Sequence, residues 1–208
     1  MLNRLKLETT QIAWDHKTTS IETIFRAWRK VTPGSTHHLV IQDDATFPRD
    51  LVQGAEEVCG YLPYDAISLF SASWKGHDEA QKNGAAWIAA NKTGIGALAV
   101  ILPVNIIEPW IDWHYSTEGG RACMTASSID TDDDTSLRLF LARQNKRVHF
   151  TAPSLVQHAG INKINPYFNS NLGHSNFSGG RPYLAKWYVG DNGTACGINW
   201  SQGLQVKT

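Results

Sequence analysis

Strand-like and helix-like segments alternate along this chain, and that alternation most limits what it can fold into. Short apolar runs with the length and composition of buried strands are followed by segments with apolar residues at helical spacing. The predicted strands are Leu7 to Trp14, His38 to Gln42, Ala66 to Ala72 and Arg147 to Thr151. The predicted helices run from a cap at Thr19 or Ser20 to Lys30, and over Phe47 to Gly60, Val104 to His114 and Asp134 to Gln144. This order predicts an α/β fold, with a mainly parallel sheet flanked by helices.

The size of the chain predicts one compact domain. Its 208 residues are 42% hydrophobic and 18% charged, which is enough apolar material for one core. No apolar run is long enough to cross a bilayer, and the first residues do not form a basic and apolar leader, so we expect a cytoplasmic protein. Residues 159–208 are rich in Asn, Gly, Ser and aromatic side chains, and we interpret them as an irregular C-terminal tail.

Composition disfavours several classes of protein. Three cysteines, far apart in the sequence, fit neither a disulfide framework nor a zinc cluster. Lys plus Arg and Asp plus Glu both number 19, so total charge gives no reason to expect a polyanionic partner, although a local basic patch is compatible with it. The eight tryptophans suit a core, and they also suit stacking on sugars or bases.

Two adjacent carboxylates follow the strand predicted at His38 to Gln42. Asp43 and Asp44 repel each other, and water, a basic side chain or a metal ion has to offset that repulsion. Carboxylates at a strand end suit Mg²⁺ or Mn²⁺, which prefer oxygen ligands and leave positions open for phosphates. The alternative is a solvated turn in which an Asp caps the helix that begins near Phe47.

A second acidic cluster precedes the predicted helix at Asp134. It comprises Asp130, Asp132, Asp133 and Asp134. The helix dipole accounts for one or two acids at a helix start, but it accounts poorly for four. A carboxylate held in a cleft is a candidate general base toward an acceptor hydroxyl.

A third stretch, "TAPSLVQHAG" at Thr151 to Gly160, carries a strand into a Pro turn and then to His158. An isolated histidine is usually a satisfied core or surface residue. Together with the two acidic stretches, however, the order of the motifs resembles that of GT-A-type glycosyltransferases. In "RAW" (Arg26 to Trp28) and "HHLVIQDD" the chain is most similar to small uncharacterised members of that family from bacteria and phages.

The resemblance, which covers about Ile12 to Gly160, implies a role for each motif. Asp44 and His158 would hold the Mn²⁺ or Mg²⁺ that bridges the diphosphate of a nucleotide-sugar. Asp43 would contact this nucleotide-sugar donor. Asp133 or Asp134 would act as the base in an inverting enzyme. The chain departs from the family in having Gln42 where one variant of the metal motif has Glu, and in having barely more than one strand-helix unit before that motif.

Further contacts follow from the same resemblance. The predicted donor contacts are Trp14, Asp15, His16, Arg26 and Lys186, with Lys163 and Arg181 as further cations of a tail, residues 159–208, that covers the donor. The predicted acceptor contacts are Trp74, Gly94, Gly96, Trp110 and Trp113. Helix-face tryptophans are usually core residues, and a surface charge such as that of Lys186 is usually only solvated.

The resemblance implies a hexosyl- or pentosyltransferase, and it leaves the acceptor open. The preferred hypothesis, which the phage-like resemblance favours, is a 5-hydroxymethylpyrimidine base in phage DNA. That acceptor would need a basic strip such as Arg138, Arg143, Lys146 and Arg147. The other is a saccharide or surface glycan. A non-catalytic nucleotide-sugar-binding module and a metal-dependent phosphotransferase or nucleotidyltransferase are the alternatives from other classes. Sequence leaves the sugar, the stereochemistry and the oligomeric state undetermined.

Overall fold

A computed structural model describes residues 11, 13, 20–71, 74–90, 96–126, 133–158 and 185–205. Six helices lie within this part of the chain: α1 (Ser20–Trp28), α2 (Leu51–Tyr61), α3 (Trp74–Lys82), α4 (Val104–Tyr115), α5 (Thr117–Ala126) and α6 (Asp133–Arg143). It also contains eight strands: β1 (His37–Ile41), β2 (Ala45–Thr46), β3 (Ala66–Ser68), β4 (Trp87–Ala90), β5 (Ala99–Pro103), β6 (Val148–Thr151), β7 (Gln157–His158) and β8 (Gly203–Gln205). The strand predicted at Leu7 to Trp14 lies outside the described residues.

The main sheet is mixed, so the prediction of a mainly parallel sheet is wrong. Its strand order is β1-β5-β3-β6-β4-β8. β5 is antiparallel to both β1 and β3, and β4 is antiparallel to β6, whereas β3 with β6 and β4 with β8 are parallel. The sheet is mixed because the apolar run Ala99–Pro103, where no strand was predicted, forms β5. It is buried along its whole length and inserts between β1 and β3.

Helices cover both faces of this sheet, as the alternating pattern predicted. α1, α4 and α6 contribute Phe25, Trp110 and Phe140 to one apolar cluster. α2 and the C-terminal segment contribute to a second cluster on the other face. Neighbouring residues of β5 alternate between the two, because side chains on a strand point to opposite faces: Val100 belongs to the first cluster and Ile101 to the second.

Residues 185–205 are irregular apart from β8, and three buried side chains, those of Ala185, Ala195 and Trp200, anchor them in the core. Trp200 is 1% exposed in the second cluster, and its carbonyl oxygen accepts a hydrogen bond from Trp87 Nε1 at 3.0 Å. β8 then extends the sheet beside β4. The physical reason is the large indole of Trp200, whose burial removes much apolar surface from water.

The strand directions define two rims of the sheet. β1, β3 and β6 all end at one rim, which we call the site rim. The residues that follow these strands, Gln42, Leu69 and Ala152, therefore lie on the same side of the molecule. The residues that precede them, such as Asp65 and Arg147, lie at the opposite rim.

Candidate functional site

The paired aspartates occupy a tight turn at the site rim. The backbone N–H of Gln42 donates to the Leu98 carbonyl at 2.9 Å, and the N–H of Ala45 donates back to the Gln42 carbonyl at 3.3 Å. Asp43 in this turn is exposed, whereas Asp44 is half-buried. The turn thus places only the second carboxylate against the protein.

Asp44 meets His158 across a two-stranded ribbon. β2 pairs with β7 in an antiparallel register that sets Ala45 opposite His158. His158 Nδ1 lies 3.3 Å from Asp44 Oδ2, although the two residues are 114 positions apart. The side chains are 14% and 31% exposed for His158 and Asp44. The structure therefore brings together the two residues that the sequence analysis predicted as metal ligands.

The chemistry of this pair fits a divalent cation. Two neighbouring ligands of an octahedral ion, each about 2.1 Å from it, lie about 3 Å apart. The observed distance of 3.3 Å is close to that value, and it is also the distance of a hydrogen bond between the imidazole and the carboxylate. Asp44 Oδ1 is buried and has no hydrogen-bond partner among the described residues. The same part of the chain contains no group of three or more His, Cys, Asp or Glu side chains arranged for a metal.

An aromatic ring supports the imidazole from behind. Phe70 is fully buried, and its ring packs edge-on against His158 with centroids 5.2 Å apart. Gly96 adopts a φ of +61°, and a Cβ at this position would lie 3.1 Å from Phe70 Cδ1. Gly96 is buried and lies against Phe70, in place of the open acceptor surface that the sequence predicted for it. Gly94 lies outside the described residues.

The two predicted base residues line a narrow cavity next to the turn. Asp133 and Asp134 begin α6, and together with Gln42 they border a cavity of about 20 Å³. This volume holds about one water molecule. Its other walls are mainly apolar and include Trp28 and Trp110. Gln42 therefore connects the acidic start of α6 with the turn that carries Asp44.

Two of the tryptophans predicted at the acceptor, Trp110 and Trp113, pack within the protein. Trp110 is fully buried, and its Nε1 donates to Ser136 Oγ at 3.0 Å. Trp113 is half-buried and packs at a tilt against Phe140, with centroids 5.9 Å apart. The physical reason is their place on the face of α4 that covers the sheet. Trp74 begins α3.

The described donor residues are engaged within the protein. Arg26 Nη2 donates to Thr23 Oγ1 at 2.9 Å on α1. Lys186 forms an exposed ion pair with Asp78 of α3. Such a pair contributes at most about 1 kcal/mol, so Lys186 can exchange this partner for another anion at little cost. Trp14, Asp15 and His16, like Lys163 and Arg181, lie outside the described residues.

Two residues of the basic strip expected for a DNA acceptor, Lys146 and Arg147, lie far from Asp44. Lys146 Nζ donates to the Tyr64 carbonyl at 3.2 Å, and Arg147 donates to Gln205 at 3.0 Å, both at the opposite rim. The four residues of β6, about 13 Å of strand, separate this region from the site rim. Arg143 pairs with Glu118 of α5. This part of the strip cannot hold a base over the aspartate turn.

A buried histidine near the site was missed by the sequence analysis. His77 on α3 is 1% exposed, and the backbone N–H of Trp187 donates to its Nδ1 at 3.1 Å. The proton of the neutral ring therefore lies on Nε2, which is 3.5 Å from Ser154 Oγ. Burial lowers the pKa of His77 to about 4. The only feature of the sequence that bears on His77 is its position three residues into a short, polar helix. That position is weak evidence that the histidine is buried.

Comparisons with known proteins do not assign the chain to a family. No protein-family model matches it, and a search of curated proteins finds no match. Within the described residues, no helix has the length and apolar character needed to span a membrane.

Proposed function

We propose that this chain is a metal-dependent glycosyltransferase that moves a sugar from a nucleotide-diphosphate sugar to an acceptor hydroxyl. The observation that carries the proposal is the approach of Asp44 Oδ2 to His158 Nδ1 at 3.3 Å, at the rim where the aspartate turn also meets the start of α6. Asp44 and His158 form one group, and Asp133 and Asp134 line a cavity that reaches the same turn at Gln42. Their donor atoms suit a metal-bound diphosphate on one side of Gln42 and a carboxylate base on the other.

Asp44 and His158 are the residues that would hold the cation. One carboxylate oxygen and one imidazole nitrogen suit Mn²⁺ or Mg²⁺ and leave positions for phosphate oxygens. When bound, such an ion stabilises the negative charge that develops on the leaving diphosphate. Asp43 is exposed beside this pair and is the second carboxylate available to the donor.

Asp133 and Asp134 are the candidates for the base. In an inverting reaction one of them takes the proton of the acceptor hydroxyl as that oxygen attacks the sugar carbon. Gln42 lines the same cavity as these two residues, and its neutral amide adds no third negative charge beside them.

The acceptor hydroxyl belongs to a saccharide or to a hydroxymethylated base in DNA. A 5-hydroxymethylpyrimidine in DNA would need cations near the aspartate turn, and Lys146 and Arg147 lie at the other rim. Since the chain also has no net charge, we test saccharide acceptors first and hydroxymethylated DNA second.

The test is mass spectrometry of both acceptor classes after incubation with the protein, a panel of nucleotide-sugars and Mn²⁺. Asp44→Asn should remove transfer and weaken Mn²⁺-dependent donor binding. Asp134→Asn or Asp133→Asn should keep donor binding and lower turnover by about 10²–10⁴-fold. Glu56→Gln, an exposed charge change on α2, is the control and should be fully active.

Two outcomes would contradict parts of this proposal. Wild-type protein that binds a nucleotide-sugar but neither transfers nor hydrolyses it would indicate a binding module. Full activity in both the Asp133 and Asp134 variants would show that the base lies elsewhere.

A further inference from the structure

The C-terminal segment 185–189 runs directly alongside the loop that carries His158. The backbone N–H of Ser154 donates to the Trp187 carbonyl at 2.9 Å, and the N–H of Val189 donates to the Ser154 carbonyl at 3.1 Å. These bonds form an isolated parallel bridge between Ser154 and Tyr188. The segment and the loop are thus joined at one end through their backbones.

At the other end the connection runs through one side chain. Gln157 Nε2 donates to the Ala185 carbonyl at 3.1 Å, and the Ala185 N–H donates to Gln157 Oε1 at 3.0 Å. The N–H of His158 also donates to the same Oε1, at 3.2 Å. A single amide therefore satisfies both peptide groups of the buried Ala185 and holds the backbone of the predicted metal ligand. We call these three bonds the Gln157 clamp.

Backbone bonds fix the loop up to Val156, whose N–H, like that of Leu155, donates to the Leu69 carbonyl. Beyond Val156, the clamp adds to the pairing of β7 with β2. β7 contains only Gln157 and His158, and its partner β2 is equally short. Two-residue strands give few ladder hydrogen bonds, so their pairing by itself is weak. Displacing His158 by even one ångström would separate its Nδ1 from Asp44.

We propose that Gln157 is a positioning residue: through its clamp on Ala185 it fixes His158 in the orientation that faces Asp44. The orientation of His158 is a property of the protein alone. Its consequence for metal binding and sugar transfer rests on the proposed function. Residues that orient a metal ligand typically change metal affinity by about 10–100-fold when they are removed.

Two substitutions separate the clamp from simple packing. Gln157→Met keeps the length of the side chain and removes all three bonds. Gln157→Glu keeps the two acceptor contacts and sets a carboxylate oxygen against the Ala185 carbonyl. Thr194→Val is the matched control, because it removes a different anchor of the C-terminal segment, the bond from the Thr194 hydroxyl to Asp50.

Three readouts apply to each variant: hydrogen exchange of the Ala185 amide, the ¹⁵N imidazole signals of His158 at fixed pH, and Mn²⁺ affinity by calorimetry. For Gln157→Met we expect faster exchange at Ala185, shifted His158 ring signals and Mn²⁺ binding at least about 10-fold weaker. Thr194→Val should leave the His158 signals and Mn²⁺ affinity unchanged. If Gln157→Met does not fold, Gln157→Leu serves in its place, with the same expected directions, because it also removes all three bonds. Gln157→Glu, which keeps both acceptor contacts, should change the Ala185 exchange rate less.

The proposal is overturned if the Ala185 amide exchanges faster in Gln157→Met while the His158 ring signals stay at their wild-type positions. It is also overturned if the Ala185 amide keeps its wild-type exchange rate. Wild-type protein that neither binds Mn²⁺ nor transfers sugar would refute the proposed function instead. The ring signals of the metal-free protein would still test the clamp in that case.

Discussion

Acid should destabilise this protein through His77 in a defined pH window. In the folded chain the ring is 1% exposed and accepts the N–H of Trp187, so protonation of Nδ1 would break that bond and bury a charge. Burial is the main cause that lowers its pKa, and the charge of Lys186 acts in the same direction, whereas Asp78 opposes them. The unfolded chain has no such restriction and protonates first as the pH falls.

The size of the effect follows from the two pKa values. The pKa of His77 is about 4 in the folded protein, against an ordinary value of 6.5. The stabilisation is therefore fully present above pH 6.5 and is lost progressively as the pH falls to about 4. At 1.36 kcal/mol for each tenfold change in proton affinity, the loss is about 3 kcal/mol. His38, His114 and His149 have lowered pKa values too and add to the total slope.

The assay isolates His77 by comparing wild type with His77→Gln. Urea unfolding between pH 7.5 and 4 gives the free energy of unfolding of each protein. The variant should be less stable at pH 7.5, because a packed ring is lost, and the two curves should converge by about 3 kcal/mol toward pH 4. Parallel curves, or an NMR titration that gives His77 a pKa near 6.5, would refute the reasoning.

Three further predictions concern the surroundings of the site. Gly96→Ala should lower the free energy of unfolding, measured by urea denaturation, by about 1–3 kcal/mol, because the positive φ and the nearby Phe70 ring both oppose a Cβ at this position. The same variant should shift the NMR resonances of the Phe70 and His158 rings. Unchanged stability would contradict this prediction. Asp50→Asn should lower the free energy of unfolding by about 1–3 kcal/mol, because the Asp50 carboxylate accepts the N–H groups of Ala195 at 2.9 Å and of Cys196 at 3.2 Å. In thermal unfolding, wild type should be more stable than the variant above pH 3.8. This difference should disappear as the pH falls from 3.8 toward about 2, the lowered pKa of Asp50 in the folded protein. Burial, aided by the charge of Glu56, raises the pKa of the Cys59 thiol to about 11. This thiol should therefore react slowly with a disulfide reagent at pH 8 and faster as the pH approaches 11. Rapid labelling of Cys59 at pH 8 would argue against its burial.

Local signals correctly predicted several helices. α6 begins at Asp133 and α4 at Val104, close to the residues expected from capping and apolar spacing. These features depend on neighbours in sequence: acids at a helix start, and apolar residues three and four positions apart. The ends of these elements were predicted less well. β3 is shorter than predicted, and α2 begins at Leu51, four residues later than expected. The ends of helices and strands depend on packing as well as on local sequence.

The approach of Asp44 to His158 was predicted from motif order, and the structure shows how it arises. Each residue follows an apolar strand that ends at the site rim, and strands that end at one rim carry their next residues to the same place. The order of motifs alone did not reveal Gln157, because its partner is a backbone group 28 positions away at Ala185. A side chain that binds a peptide group leaves no recognisable pattern in the partner's sequence.

The sequence by itself determined where four of the six described helices and three of the eight described strands form, and which carboxylates and imidazole follow strand ends, since these depend on periodicity and on turn residues. Only the tertiary structure decided that β5 runs antiparallel between β1 and β3, that Trp110 is buried, and that Lys146 lies at the rim opposite Asp44. Strand direction and side-chain burial are set by contacts between residues far apart in the chain. Such contacts are chosen by the total packing of both faces of the sheet, and no local segment encodes them.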